Sequence, residues 1–99
     1  MEKAIKEVIW EMPHVIFVHM ESGDHCLIVE DTEVNDLVED HLWDEYEYAA
    51  TSVSMETPAS IPVYYNFLAA DLPVDRFVEA LKGIDPTLVE QVFRLNNKA

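Results

Sequence analysis

Apolar residues recur along this 99-residue chain at two spacings, and the switches between them mark its elements. Ala4, Ile5, Val8, Ile9 and Met12 stand three and four apart, which predicts a helix over residues 2–12. Pro13 ends it, because proline disfavours helix in the residue before it. Strand is the alternative for this segment. His14 to Met20 is rich in β-branched residues and apolar on both faces, the pattern of a central strand. Glu21-Ser22-Gly23-Asp24 is turn chemistry, and residues 25–30 return as a second strand. With that turn, Met20 faces His25 and His19 faces Cys26.

Asp31 or Thr32 offers a side-chain oxygen to cap the next helix, whose inward stripe is Val34, Leu37, Val38, His41 and Leu42. Residues 46–55 either continue that helix or form a strand through Tyr46, Tyr48 and Thr51 to Val53. Thr57-Pro58-Ala59-Ser60 is a turn, and Ile61 to Leu68 is a strand of β-branched and aromatic residues. Two helices close the chain. Pro73 suits the first turn of one and Gly83 its end, with Val74, Phe77, Val78 and Leu81 inward. Asp85 caps the other and Pro86 opens it, with Leu88, Val89, Val92, Phe93 and Leu95 inward or nearly so. The order is α-β-β-α-β-β-α-α. Short turns between neighbouring strands make antiparallel hairpins, so the expected fold is α+β: a small antiparallel sheet of about four strands in two hairpins, packed with helices. Residues 1–99 read as a single domain.

Charge changes the picture more than composition does. A hydrophobic content of 49% is average and permits a packed core. Residues 7–75, however, contain no lysine and no arginine, where about eight bases are expected, and they hold 16 of the 20 acidic residues. The net charge of −14 therefore sits in the middle of the chain. One cysteine, Cys26, excludes an internal disulfide and fits a reducing compartment. The N-terminal residues lack the apolar centre of a signal peptide, and no apolar run approaches the ~20 residues that span a bilayer. Anionic membranes and nucleic acids, whose binding rests on cationic contacts to phosphate, both repel such a chain. The composition points to a cytoplasmic protein with no direct contact to either.

Residues 30–47 carry 9 acids in 18 positions. On a helix, Glu33, Asp36, Asp40, Asp44 and Glu47 step by three or four and form one stripe, about one carboxylate per ~5.4 Å turn. Glu39 and Glu45 pair with Asp40 and Asp44, and Trp43 stands beside the stripe. If the chain turns to strand near residue 45, Glu45 and Glu47 still share a face. The arrangement is costly: like charges at Asp36–Asp40 and Asp40–Asp44 repel by a few tenths of a kcal/mol each, and acids at a helix C-terminus oppose its dipole. A face built for solubility mixes signs, because a lysine four residues after an acid adds support. The negative field itself is the selected property on this reading.

An acidic coat also arises from salt adaptation or without any partner. Residues 77–99 argue against global adaptation, since they balance three acids (Glu79, Asp85, Glu90) with three bases (Lys82, Arg94, Lys98). Spaced carboxylates mimic a nucleic-acid backbone and occupy the lysines and arginines that hold phosphates. Such binding is steered, fast and salt-sensitive. Aromatic anchors usually carry the energy of an interface, and Trp43, Tyr46, Tyr48 and Tyr64 are the candidates. In size, charge and lack of catalytic motifs the chain resembles the small acidic inhibitors: anti-CRISPR proteins, inhibitors of DNA-repair enzymes, and immunity proteins that block nuclease toxins. No sequence motif carries the resemblance, so no residue takes a role from it. What it implies is a non-enzymatic antagonist. Its partner is a basic nucleic-acid-binding protein such as a CRISPR effector, a nuclease or a DNA-binding regulator. The partner-binding candidates are Glu33, Asp36, Glu39, Asp40, Trp43, Asp44, Glu45 and Glu47.

Other chemistries have weaker support. His14, His19, His25, Cys26 and Asp24 lie close in sequence, but a zinc site needs three or four convergent ligands, and only His19 and Cys26 meet across the hairpin. The same pair as a nucleophile and base is opposed by the apolar Leu27-Ile28-Val29 that follows. Neither a cofactor, a metal nor a catalytic residue is expected. Asp31 to Leu42 lacks the pattern of a calcium-binding loop, and Gly23 and Gly83 are too far apart for a phosphate-binding loop. An alternative role is an acidic assembly module. Phe77, Phe93 and Leu95 exceed what one core buries on that reading, and the neutral C-terminal helices join two copies or hold a partner.

Overall fold

The structure, a computed structural model, describes residues 4–97. Strands β1 (Ile5–Met12), β2 (Val15–Met20), β3 (His25–Glu30), β4 (Ser52–Glu56) and β5 (Val63–Leu68) form one antiparallel sheet in the order β1-β2-β3-β5-β4. Helices α1 (Thr32–Tyr46), α2 (Val74–Lys82) and α3 (Pro86–Asn96) complete an α+β fold. Val15, Phe17, Leu27 and Val29 of the sheet meet Val34, Val38 and Leu42 of α1, Phe77 and Leu81 of α2, and Val89 of α3. Alternation along the strands sends Val18, Met20, Cys26 and Phe67 to the other face, where they form a second, smaller cluster. β2 is apolar on both sides because it contributes to both.

The segment expected as a helix over residues 2–12 is strand β1 from Ile5 onward, and residues 2 and 3 lie outside the described residues. Its pairing with β2 slips between Ile5 and Glu7 and again between Val8 and Trp10. Each slip inserts an extra residue, so Ile5, Val8 and Glu11 fall opposite Met20, Val18 and Ile16 on one face. A strand with two bulges thus imitates the helical spacing of three. The sheet has five strands in consequence, as a three-stranded meander plus the β4–β5 hairpin.

The β2–β3 turn also differs from expectation. Met20 N–H donates to Asp24 O at 2.9 Å, and Gly23 adopts φ 98°, the left-handed position that closes a three-residue loop. The register moves by one residue: His19 faces His25 and Val18 faces Cys26. His19 and Cys26, expected to meet, lie on opposite faces.

Residues 46–55 divide between the last turn of α1, a connection and β4. Asp31 caps α1, its side chain accepting from Val34 N–H at 3.1 Å. It is almost wholly buried, and its other carboxylate oxygen accepts from the side-chain amides of Asn96 and Asn97 at the end of α3. Asp85 caps α3 through Thr87 N–H, with Pro86 in the first turn. Gly83 ends α2 with φ −74°, so left-handed geometry is not the reason for glycine. Space is: a Cβ there would stand 3.3 Å from both Ala80 O and the His41 ring. Leu88 and Leu95, expected inward or nearly so, are 43% and 69% exposed. Phe77 is fully buried and Phe93 half-buried, so the apolar excess expected on the C-terminal helices reduces to two leucines.

Pro13 and His14 make the β1–β2 turn, with His14 at φ 65°. The His14 ring stacks on Phe93 at 3.6 Å between centroids. Its Nδ1 meets Glu30 Oε1 at 3.2 Å and its Nε2 meets Glu90 Oε2 at 2.8 Å. Both bonds form together only when both ring nitrogens carry protons. The Arg94 guanidinium, then the His14 ring, hold the Glu90 carboxyl below its ordinary value of 4.5. A lowered carboxylate pKa contributes stability that is complete above the unfolded value and is lost as pH falls through the folded value. The stability difference between the wild type and Glu90→Gln, read from urea midpoints, is therefore expected to shrink as pH falls below 4.5. A difference independent of pH would mean that the Glu90 charge contributes nothing.

Candidate partner-binding face

Helical periodicity splits α1 into two surfaces. Val34, Val38 and Leu42 enter the core, with Leu37 and His41 half-buried at its margins. His41 Nε2–H donates to Ala80 O at 2.9 Å and fixes α1 against α2. Glu33, Asp36, Glu39, Asp40, Trp43, Asp44 and Glu45 are all exposed. So is Glu47, which ends the helix at φ 57° with its N–H bonded to Trp43 O. One helix and its C-terminal cap therefore carry all eight residues selected from the sequence. Among the described residues, none of the seven carboxylates forms an ion pair. The last turn of α1 has no basic residue, so Asp44, Glu45 and Glu47 add to the negative end of the helix dipole.

The tertiary fold enlarges this field. Asp75 and Glu79 of α2 join Asp44, Glu45, Tyr46, Glu47 and Tyr48 around an open groove of about 610 Å³, where Arg76 is the one basic lining residue among those described. Sequence reasoning missed Asp75 and Glu79. Their four-residue spacing puts them on one face of α2, but no local signal says that this face adjoins the end of α1. A second open groove, of about 400 Å³, runs from Glu39, Asp40 and Trp43 across Ala49 and Ala50 to Val53 of β4. Tyr48 lines both.

Of the four aromatic candidates, Trp43 and Tyr46 are exposed, at 54% and 46%. Tyr48 is half-buried with its ring edge-on to Phe77 at 5.1 Å, and the Tyr64 hydroxyl bonds Thr32 Oγ1 at 2.9 Å. Trp43 and Tyr46 are thus the ones presented among the acids. His19 stacks on His25 at 5.0 Å, and Cys26 is buried on the far side of the sheet. Among the described residues no group of three or more His, Cys, Asp and Glu side chains is arranged to hold a metal ion. No helix among them is long and apolar enough to cross a membrane. Comparison with protein-family models, with curated proteins and with solved structures found no match to this chain.

Proposed function

We propose that this chain is a non-enzymatic inhibitor of the cytoplasm that binds a basic nucleic-acid-handling protein through α1 and occludes its nucleic-acid path. One observation carries the reading: seven exposed carboxylates and an exposed tryptophan lie along a single helix and its C-terminal cap, with no lysine or arginine between residues 7 and 75. The unpaired carboxylates stand in for phosphates, and Trp43 supplies the apolar anchor that charge alone lacks. The partner is a CRISPR effector, a nuclease or a DNA-binding regulator. The chain itself touches neither nucleic acid nor membrane.

The test is capture from host lysate at low salt, followed by elution along a salt gradient. The expected result is a basic, nucleic-acid-binding protein that elutes only at high salt and loses its own nucleic acid while this chain is bound. Retention of no basic protein would end the mimicry reading.

Exposed Leu88 and Leu95 on α3 favour a second reading, an acidic module that contacts a partner or its own copy through the C-terminal helices. In that case Leu95→Lys weakens the contact and Asp40→Lys does not. Sedimentation of the two variants separates self-association from binding at α1.

A further inference from the structure

The sheet has two edges, and they are built differently. β1 is protected by the devices that usually prevent edge pairing: two register irregularities and a lysine, Lys6. β4 has neither. Its register with β5 runs unbroken from Ser52 opposite Phe67 to Glu56 opposite Val63, and it contains no lysine and no proline. Its other side pairs with no strand among the described residues. An edge strand in regular register, without bulge, lysine or proline, is a template for an added strand.

The side chains beside this edge define what the added strand carries. Val53 and Met55, each 53% exposed, lie opposite Asn66 and Tyr64. Those two residues bond Asn35 and Thr32 of α1, so Val53 and Met55 point to the helix-bearing face. There Val53 shares a groove with Trp43, Glu39 and Asp40. Ser52 and Ser54 alternate to the other face. A lysine or arginine on the helix side of an incoming strand lays its methylene stem along Val53 and Trp43 and carries its charge to Glu39 or Asp40. A second copy of this chain is disfavoured as the occupant, because it brings a net charge of −14 to the same carboxylates.

We infer that the β4 edge, with Trp43, Glu39 and Asp40 beside it, is a strand-addition site for an extended segment of the partner in which lysine or arginine alternates with β-branched residues. The inference rests on the proposed function and deepens it. Backbone pairing supplies register and the acidic groove selects charge.

The probe is a short acetylated and amidated peptide of alternating lysine and valine. Its control has the same sequence with the amides of one edge N-methylated, which keeps the charge and removes the pairing. Amide hydrogen exchange and titration calorimetry are read on the full chain. The expected result is slowed exchange at Ser52 to Met55 with the probe alone, and control binding weaker by roughly tenfold or more, the loss expected from one or two backbone hydrogen bonds. Trp43→Ala weakens the probe, while a cooperative thermal transition shows that the variant still folds. Equal binding of both peptides without protection in β4 would overturn strand addition and leave the acidic-face reading standing. No binding of either peptide would also overturn it. If low-salt capture then yields no basic protein, the proposed function falls as well.

Discussion

Reversing Asp36, Asp40 and Asp44 to lysine is expected to lower affinity for the basic partner on the order of 10³-fold at low salt, mostly through slower association. Each substitution turns an attraction into a repulsion, at roughly 1–2 kcal/mol per site in a solvent-exposed interface, and each 1.4 kcal/mol is tenfold. Net charge moves from −14 to −8, two units per residue, so most of the overall field survives. A large effect therefore identifies the face and not the total charge. All three side chains are exposed, and the fold does not depend on them. The single change Asp40→Lys sharpens the test. Asp36 and Asp44 stand four residues to either side, so the lysine removes two repulsions and adds two attractions, each worth a few tenths of a kcal/mol. It should raise stability slightly and weaken binding at once. Thermal midpoints and calorimetry on the same samples read both. Binding that survives the triple reversal would refute mimicry by α1.

Asp31→Ala is expected to cost about 3 kcal/mol of stability and to lower Tm on the order of 15 °C. The carboxylate caps α1 and also ties it to the end of α3 through Asn96 and Asn97. Its backbone N–H donates to Pro62 O at 2.6 Å, which fastens the same point to the approach to β5. Losing the cap costs about 1–2 kcal/mol, and the two amide bonds to a buried carboxylate add to that. Backbone strain adds nothing to this loss, because aspartate and alanine both carry a Cβ. Asp31 sits at φ 82° and ψ 138°, a region that penalises any Cβ. Asp31→Gly loses the same hydrogen bonds but sheds the strain. Glycine should be the more stable of the two replacements by about 1 kcal/mol, as expected at a helix N-cap with positive φ. Urea denaturation of the three proteins decides it. Equal losses for alanine and glycine would mean that the left-handed backbone carries no strain.

The acidic helix was legible because every signal for it is local. A capping aspartate, an apolar stripe at three and four, and acids on the remaining positions specify α1 and its outer face without reference to the rest of the chain. β2, β5 and both C-terminal helices were legible for the same reason. β1 was not, because its two bulges are defined only by pairing with β2, and without that partner Ile5, Val8 and Met12 read as one side of a helix. The β2–β3 register escaped similarly. One residue of turn length decides which face each histidine takes, and Gly23 settles it by its backbone angle.

The sequence by itself determined the charge, its confinement to residues 7–75, and the stripe of Glu33, Asp36, Asp40 and Asp44 on the outer side of α1, since a helix with one apolar stripe leaves its other side to solvent. Tertiary structure alone decided what stands beside them. It set Asp75 and Glu79 next to the end of α1, withdrew Asp31 into a buried junction, engaged Tyr48 and Tyr64, and left β4 as a regular edge near Trp43. The reason is physical. Periodicity reports which side of an element avoids water, whereas neighbours across the fold are chosen by packing and strand pairing between residues far apart in the chain.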